Sequence, residues 1–309
     1  MGYIVNQYKK SFLIRYDKDG AIPYLSLEDF PGLRCEKGSF KNSSDVVVRY
    51  FTYSYDGPRS DKLILFLPGL GPGHTAYFAE IEAICKAGYR VLTLDYAGTG
   101  SSGGECLPSV NGPTRDVIEL LSALSPQGEI IPVGHSLGGY TALNVANLRQ
   151  DVKCAVILSG FISIFDMMMP MVKLRFLANG VKRFERKLDA RYGSLDNRKY
   201  LSSTTDKILW IHSSDDPMVS YKYNAGQIAK IHNPAIRLMT VEGKKHNPQY
   251  TMEALNTMRA WMGEYERQVR EGQLDTLEKR KEYFADKPAA RMVTQDPEIL
   301  KEILQFLAE

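Results

Sequence analysis

Short apolar runs alternate along the chain with longer segments in which apolar residues recur at helical spacing. The runs occupy residues 63–69, 91–96, 130–134, 155–160, 208–212 and 236–241. Their apolarity is mostly continuous rather than alternating, which is typical of parallel strands that helices cover on both faces. Between the runs, residues 76–87 and 114–124 place apolar side chains on one face of a helix. The pattern predicts an α/β fold with a doubly wound, mostly parallel sheet.

Three segments depart from this rhythm and divide the predicted molecule. Residues 46–55 are rich in β-branched and aromatic side chains, so we expect antiparallel strands at the sheet edge. Residues 161–205 are methionine-rich, basic and helical in pattern, which predicts a helical cap inserted into a core formed by residues 1–160 and 206–270. Residues 271–309 are expected to form a C-terminal helical extension that packs on the core. Packing of its last helix on a second copy of the chain leaves a homodimer open as an alternative.

Composition narrows the classes of function. The chain has 309 residues, 44% of them hydrophobic, and a formal net charge of only +3. A nucleic-acid-binding protein would show clustered basic residues and a larger positive charge, so no nucleic-acid partner is expected. No apolar stretch is long enough to span a bilayer, and the first residues lack the apolar core of a signal peptide. We therefore expect a cytoplasmic protein without stable membrane insertion.

The cysteines and histidines lack the spacing of a metal site. The four cysteines form no C-x-x-C pair, and none of the five histidines has a partner at ligand spacing. We expect His74 to begin the helix after the first glycine-rich loop, His135 to pack beside Ser136, and His212 and His232 to be structural. Neither glycine-rich loop carries a complete phosphate-binding motif. The sequence therefore predicts no metal and no cofactor.

Ser136 is the candidate nucleophile. It lies in the stretch VGHSLGGY, between an apolar run and a segment with helical spacing. A serine on such a sharp strand-to-helix turn exposes its Oγ at the edge of the sheet, and the N–H of Leu137 then faces the position of a developing oxyanion. The alternative is that Ser136 merely caps an ordinary helix.

An acid and a histidine that could activate this serine follow it along the chain. Asp216 lies in SSDDPMVS after the fifth apolar run, with Asp215 as its rival, and His246 lies in VEGKKHNPQ after the sixth. A serine hydroxyl is a weak nucleophile unless a base takes its proton and an acid orients that base. Ser136, Asp216 and His246 each follow a predicted strand, so they meet at one edge of the sheet. The alternatives are a polar turn for the two acids and a solvent-exposed loop for the histidine.

Several stretches together resemble the α/β-hydrolase superfamily, in its serine esterase and lipase branch. The resemblance spans residues 45–267 and rests on PGLG, DYAGTGSSG, GHSLGG, SSDDPMV and GKKHN. It implies acyl transfer to water through a covalent acyl-serine, with the acid at Asp216. In PGLG, at the end of the first run, the N–H of Leu70 is the expected second oxyanion donor. Two positions depart from the family pattern: Pro68 stands where many members have histidine, and Ser213 replaces the usual glycine.

The sequence thus predicts a serine hydrolase that cleaves carboxylic esters of a small molecule. A thioesterase or acyltransferase with the same triad is a second reading, and a hydrolase fold reused as a non-catalytic ligand sensor is a third. The cap is expected to supply the substrate pocket through Phe161, Phe165, Met168 and Met171, because methionine-rich surfaces adapt to varied apolar groups. Those residues equally fit the cap's own core. Basic residues further along the cap suit an anionic substrate, a lipid surface or a solvated helix face.

Overall fold

The computed structural model describes residues 1–57 and 60–309. Its centre is one eight-stranded sheet with the strand order β1-β2-β4-β3-β5-β6-β7-β8. The strands are β1 (Arg34–Lys41), β2 (Val47–Ser54), β3 (Leu63–Leu67), β4 (Arg90–Asp95), β5 (Ile130–His135), β6 (Cys154–Leu158), β7 (Lys207–Ser213) and β8 (Ile236–Val241). Strands β3 to β8 pair in parallel, while β2 pairs antiparallel with both β1 and β4. The sheet is therefore mostly parallel with an antiparallel edge.

Helices cover the sheet on both sides. The α-helices are α1 (Gly2–Phe12), α2 (Phe78–Lys86), α3 (Gly112–Leu124), α4 (Leu137–Leu148), α5 (Ile164–Val172), α6 (Arg175–Leu188), α7 (Arg198–Ser203), α8 (Ala225–Ile228), α9 (Met252–Arg270), α10 (Leu277–Tyr283) and α11 (Pro297–Ala308). Alternate residues of one strand enter different cores: Leu65 joins a cluster with α3 and α4, whereas Phe66 joins a cluster with α2 and α11. Because both faces of the strand are buried, its sequence is continuously apolar. The predicted doubly wound α/β architecture is confirmed.

Two N-terminal elements have no counterpart in the sequence prediction. Helix α1 buries only Tyr8, so its sequence shows no broad apolar face. Strand β1, RCEKGSFK, lies at the sheet edge and has no fully buried residue. Edge positions face solvent on several sides, and hydrophobic patterning is correspondingly weak there. The helix expected over residues 76–87 begins as one 3₁₀ turn, His74–Tyr77, before α2.

Helix α1 is tied to the segment that was predicted as a cap. Residues 161–205 form α5, α6 and α7, and Glu185 of α6 is completely buried. Its carboxylate accepts hydrogen bonds from Tyr8 Oη at 2.7 Å and from Asn111 Nδ2 at 3.1 Å. A buried carboxylate is stable only when its lone pairs are satisfied. Tyr8 and Asn111 therefore fix α6 to both α1 and the start of α3.

The last helix packs on the sheet of its own chain. Asp296 caps α11 by accepting from the N–H groups of Glu298 and Ile299, and Pro297 occupies the first helical position. The apolar face of α11 shares a buried cluster with residues of β3, β5, β6 and β7. Asp296 also pairs with Lys244 at 2.6 Å, and its N–H donates to Gln249 O at 2.7 Å. The helix cap thereby anchors the loop that follows β8.

No helix in the described ranges, 1–57 and 60–309, has the length and apolar character needed to cross a bilayer.

Candidate active site

Ser136 occupies a strained turn between β5 and α4. Its backbone has φ 56° and ψ −117°, a region that residues with a side chain adopt rarely and at an energetic cost. Two hydrogen bonds hold this turn: Ser136 N–H donates to Leu158 O at 2.8 Å, and Tyr140 N–H donates to Ser136 O at 3.0 Å. This backbone conformation directs the serine side chain outward from the carboxyl edge of the sheet.

Close packing of α4 on β3 makes the turn possible. A Cβ atom at Gly138 would overlap the carbonyl oxygen of Leu67 on the neighbouring strand. That oxygen belongs to the backbone of a central strand, so it cannot move aside without disturbing the sheet. Gly138 is therefore required for the approach of the helix rather than for its backbone dihedrals.

We expect Gly138→Ala to lower the free energy of unfolding by about 2 kcal/mol or more, because the new methyl group meets rigid backbone. Gly263→Ala is the matched control, since Gly263 is exposed within α9 and a Cβ there meets nothing within 4 Å. The control should raise stability by about 0.5–1 kcal/mol. Urea unfolding of both variants measures the difference. Equal effects of the two substitutions would contradict the close approach.

Ser136, His246 and Asp216 form one hydrogen-bonded chain. Ser136 Oγ lies 2.9 Å from His246 Nε2, and His246 Nδ1 lies 2.8 Å from Asp216 Oδ2. The serine follows β5, the acid follows β7 and the histidine follows β8, so three loops at one sheet edge supply the three groups. With Nδ1–H donating to the carboxylate, Nε2 is free to accept the serine proton.

The environment of Asp216 keeps its carboxyl group ionised. Burial alone would raise the pKa of Asp216, but hydrogen bonds from His212, His246 and the backbone N–H of Val219 outweigh it and hold the pKa well below its usual value. Oδ1 accepts from the N–H groups of Met218 at 2.8 Å and Val219 at 2.9 Å. The side chain is thus locked in position with a negative charge facing His246.

His212 supports the same carboxylate. Its Nδ1 accepts from Trp210 Nε1–H at 3.3 Å, so Nε2 carries the proton that donates to Val219 O at 2.8 Å. The same Nε2 lies 3.3 Å from Asp216 Oδ2. The sequence reading of His212 as a structural residue is consistent with these contacts but missed its position behind the acid.

Asp215 points away from the hydrogen-bonded chain of Ser136, His246 and Asp216. Its carboxylate accepts from Ser213 Oγ at 2.6 Å and pairs with Lys245 Nζ at 2.8 Å. The Lys245 ammonium is the main reason that the pKa of Asp215 falls to about 2. Of the two candidate acids, only Asp216 contacts His246.

His135 is more than the packing residue that the sequence suggested. It is 3% exposed, and its Nε2–H donates to the backbone carbonyl of His246 at 2.7 Å. Nδ1 accepts from Tyr77 Oη at 2.9 Å. Burial, followed by the proximity of His246, lowers the pKa of His135 to about 3, so the ring is neutral. His135 and Tyr77 therefore position the backbone of His246. Because these residues are far apart in sequence, no spacing rule could have found the contact.

His74 also has a partner that the sequence did not reveal. It begins the 3₁₀ turn after the PGLG loop, as expected, and its Nδ1 lies 2.8 Å from Asp95 Oδ1. Tyr53 Oη lies 2.9 Å from Nε2. Asp95 accepts from the N–H of Ser101 as well, at 2.8 Å, so this buried group connects the PGLG loop with the DYAGTGSSG loop.

A mostly apolar cavity of about 190 Å³ adjoins Ser136 and His246. Leu70 and Leu137, the two expected oxyanion donors, both line it. The remaining lining residues are Phe12, Val110, Phe161, Met167, Met171, Met218 and Val219. A cavity of this size accommodates a small apolar group beside the serine hydroxyl.

Two of the four cap residues predicted for the pocket lie elsewhere. Phe161 and Met171 line the cavity, but Phe165 and Met168 do not. Met168 is 4% exposed and belongs to the buried cluster that includes α3 and α4, and Phe165 packs beneath the guanidinium group of Arg175. The helix period explains the difference, because Met167 and Met171 of α5 are four residues apart and share a face, whereas Phe165 and Met168 face other directions.

Phe12, Val110 and Met218 line the pocket without having been predicted as pocket residues. Phe12 comes from the end of α1, and Val110 precedes α3, so neither belongs to the cap segment. Met167 carried a usable signal, since it lies one helical turn before Met171.

Comparisons with known proteins identify the family to which the fold belongs. A family model described as "Alpha/beta hydrolase family" matches residues 64–295. The mitochondrial palmitoyl-protein thioesterase ABHD10 of Rattus norvegicus is 37% identical over 99 residues, which cover 30% of this chain and 32% of the relative. RutD of Agrobacterium fabrum, named as a candidate carbamate hydrolase, is 39% identical over 90 residues, 28% of this chain and 33% of the relative. The matches thus span about a third of these curated relatives.

A solved structure of the esterase Pf2001 from Pyrococcus furiosus superposes with a TM-score of 0.56 and 19% identity. The match covers 84% of this chain and 96% of that chain. At this identity the likeness concerns the fold alone. The family match covers most of the chain, including every loop that carries Ser136, Asp216 and His246. The chain belongs to the alpha/beta hydrolase family.

Proposed function

We propose that the protein is a serine hydrolase that cleaves carboxylic esters through an acyl-serine intermediate. The observation that carries the proposal is the continuous chain from Ser136 Oγ to His246 Nε2 and from His246 Nδ1 to Asp216. Each link has hydrogen-bonding distance, and each polar atom faces the atom with which it must exchange or share a proton.

The reaction would proceed in two halves. Ser136 Oγ attacks the ester carbonyl while its proton passes to His246, and Asp216 stabilises the resulting imidazolium. Collapse of the tetrahedral intermediate breaks the C–O bond, and His246 protonates the departing alcohol. Water then attacks the acyl-serine with His246 again as base, which releases the carboxylic acid and restores the serine. The backbone N–H groups of Leu70 and Leu137 are the proposed donors to the oxyanion.

The cavity supports a substrate with a small to medium apolar acyl group or an aromatic acid moiety. Its walls are aliphatic, aromatic and thioether side chains, and the polar groups are concentrated at Ser136 and His246. An apolar acyl chain would displace water from these walls, and each buried methylene would contribute about 0.8 kcal/mol. Charged acyl groups would find no partner along the apolar walls.

A series of nitrophenyl esters of increasing acyl length tests this proposal. We expect a preferred length in the wild type, and Met171→Ala or Phe12→Ala should raise the ratio of kcat/KM for long over short esters by about 5- to 10-fold. Phe165→Ala is the matched control, because it truncates a cap aromatic that lies outside the cavity. An unchanged profile in the first two variants, with the fold intact, would contradict the assigned pocket.

The same series made as thioesters and as amides separates the alternatives that use this triad. We expect oxygen esters to be cleaved faster than amides, because alcohols depart more readily than amines. A strong preference for thioesters would instead favour a thioesterase, an activity named for the ABHD10 relative.

A further inference from the structure

The turn between α5 and α6 exposes an unusual run of side chains, which we call the cap corner and define as residues 171–176. Three of its four apolar residues are highly exposed, Met171 at 48%, Leu174 at 49% and Phe176 at 64%, while Val172 is half-buried. Lys173 and Arg175, also exposed, alternate with them. Soluble surfaces rarely concentrate large apolar side chains in this way without a partner.

Backbone geometry fixes this presentation. Lys173 follows α5 in the left-handed region, with φ 56°, and the extended Leu174 precedes α6. The chain therefore turns sharply between two helices. Tyr8 and Asn111 hold α6 through its buried Glu185, so the corner rests on an anchored element. The exposed apolar side chains of the corner can therefore contact a partner without a large rearrangement of the cap.

The cap corner borders the opening of the candidate active site. Met171 belongs to both, since it lines the cavity beside Ser136 while nearly half of its surface is exposed. Met218 lines the same cavity from the loop after β7 and is 57% exposed. Any surface that covers the corner therefore lies next to the entrance of the cavity.

The exposed charges within residues 171–188 are of one sign. Residues 171–188 contain six basic residues and a single acid, Glu185, which is fully buried. Lys182 pairs with Asp196 at 3.1 Å. Within residues 1–57 and 60–309, Lys173 and Arg183 form no ion pair, and both side chains are exposed. The exposed charges of α6 are thus positive along its length.

We propose that the cap corner docks on the surface of an anionic lipid bilayer. Leu174 and Phe176 would enter the boundary between headgroups and acyl chains, while Lys173 and Arg183 contact anionic headgroups. A second copy of the chain fits poorly, because symmetric pairing of this face would oppose like charges. Docking would place the cavity entrance at the bilayer. Docking through these side chains does not require the proposed hydrolysis.

Flotation of the full chain with vesicles tests the proposal. The probes are vesicles of phosphatidylcholine alone and of phosphatidylcholine mixed with phosphatidylglycerol, and the protein carries Ser136→Ala so that hydrolysis cannot alter the lipid. We expect binding to the anionic vesicles only, weakened by added salt. Leu174→Ser with Phe176→Ser, and Lys173→Glu with Arg183→Glu, should each reduce the bound fraction by about tenfold or more.

Leu277→Ser with Lys281→Glu is the matched control, because it changes an exposed apolar and an exposed basic residue on α10. The control should bind as the parent does, and both corner variants should retain the parent's thermal unfolding midpoint. Equal binding to both vesicle types, no binding, or an equal loss in the control would overturn the proposal. A wild-type dimer that the corner variants dissolve would also overturn it and assign the corner to self-association.

Discussion

Ser136→Ala is expected to lower ester turnover by about 10⁴-fold or more while leaving the fold unchanged. Alanine removes the only group proposed to form the acyl intermediate, and His246 then has no hydroxyl from which to take a proton. Removal of the hydroxyl group does not change the strained backbone at residue 136. Its N–H still donates to Leu158 O, and its carbonyl oxygen still accepts from Tyr140 N–H. Steady-state kinetics and thermal unfolding measure the two effects separately.

Ser159→Ala is the control for this substitution. Ser159 also follows a sheet strand, is fully buried and has a positive φ of 46°, but it takes no part in the hydrogen-bonded chain. Its variant should keep turnover within a few-fold of the wild type. Retention of turnover by Ser136→Ala would mean that another group is the nucleophile.

Asp216→Asn should lower turnover by about 10³- to 10⁴-fold with little change in the positions of side chains. The amide can still accept from Met218 and Val219, but its NH₂ group would then face His246 Nδ1. This favours the tautomer with the proton on Nε2, which cannot accept the serine proton. Comparison of kcat with KM tests the reason, because a tautomer defect lowers kcat more than it raises KM.

Asp215→Asn provides a control one residue away. The substitution removes the negative charge of Asp215 and with it a partly exposed ion pair with Lys245. Such pairs contribute about 0–1 kcal/mol to the free energy of unfolding. Turnover should therefore change by less than about tenfold, since Asp215 does not contact His246. A larger loss from Asp215→Asn than from Asp216→Asn would show that the structure assigns the wrong carboxylate.

The sequence predicted the central sheet because burial on both faces leaves a local signal. Each of β3 to β7 contains a mostly continuous apolar run, and the loops that carry Ser136 and Asp216 follow β5 and β7. The His246 loop follows β8, which is only half-buried. The sequence could assign Ser136, Asp216 and His246 to one site because parallel strands bring their carboxyl ends to one edge of the sheet. The order of the strands and of these three residues along the chain was therefore enough to predict that they lie close together.

Features that depend on contacts between distant segments left no such signal. His135 and His246 are 111 residues apart, and Tyr8 and Glu185 are 177 residues apart. Phe12 reaches the cavity only because α1 packs against α6, which the pattern of α1 does not reveal. Phe165 and Met168 were misplaced for a different reason: an apolar helix that is buried on several sides gives no indication of which face borders the cavity.

Labelling with a fluorophosphonate followed by peptide mass spectrometry tests the central claim most directly. These reagents phosphonylate a serine only when a base and an oxyanion site activate it, so they report the assembled chain of Ser136, His246 and Asp216. We predict a single adduct on Ser136 in the folded protein, absent from Ser136→Ala and strongly reduced in Asp216→Asn. A folded wild-type protein that remains unlabelled at Ser136, or that is labelled at another serine instead, would contradict the proposed nucleophile.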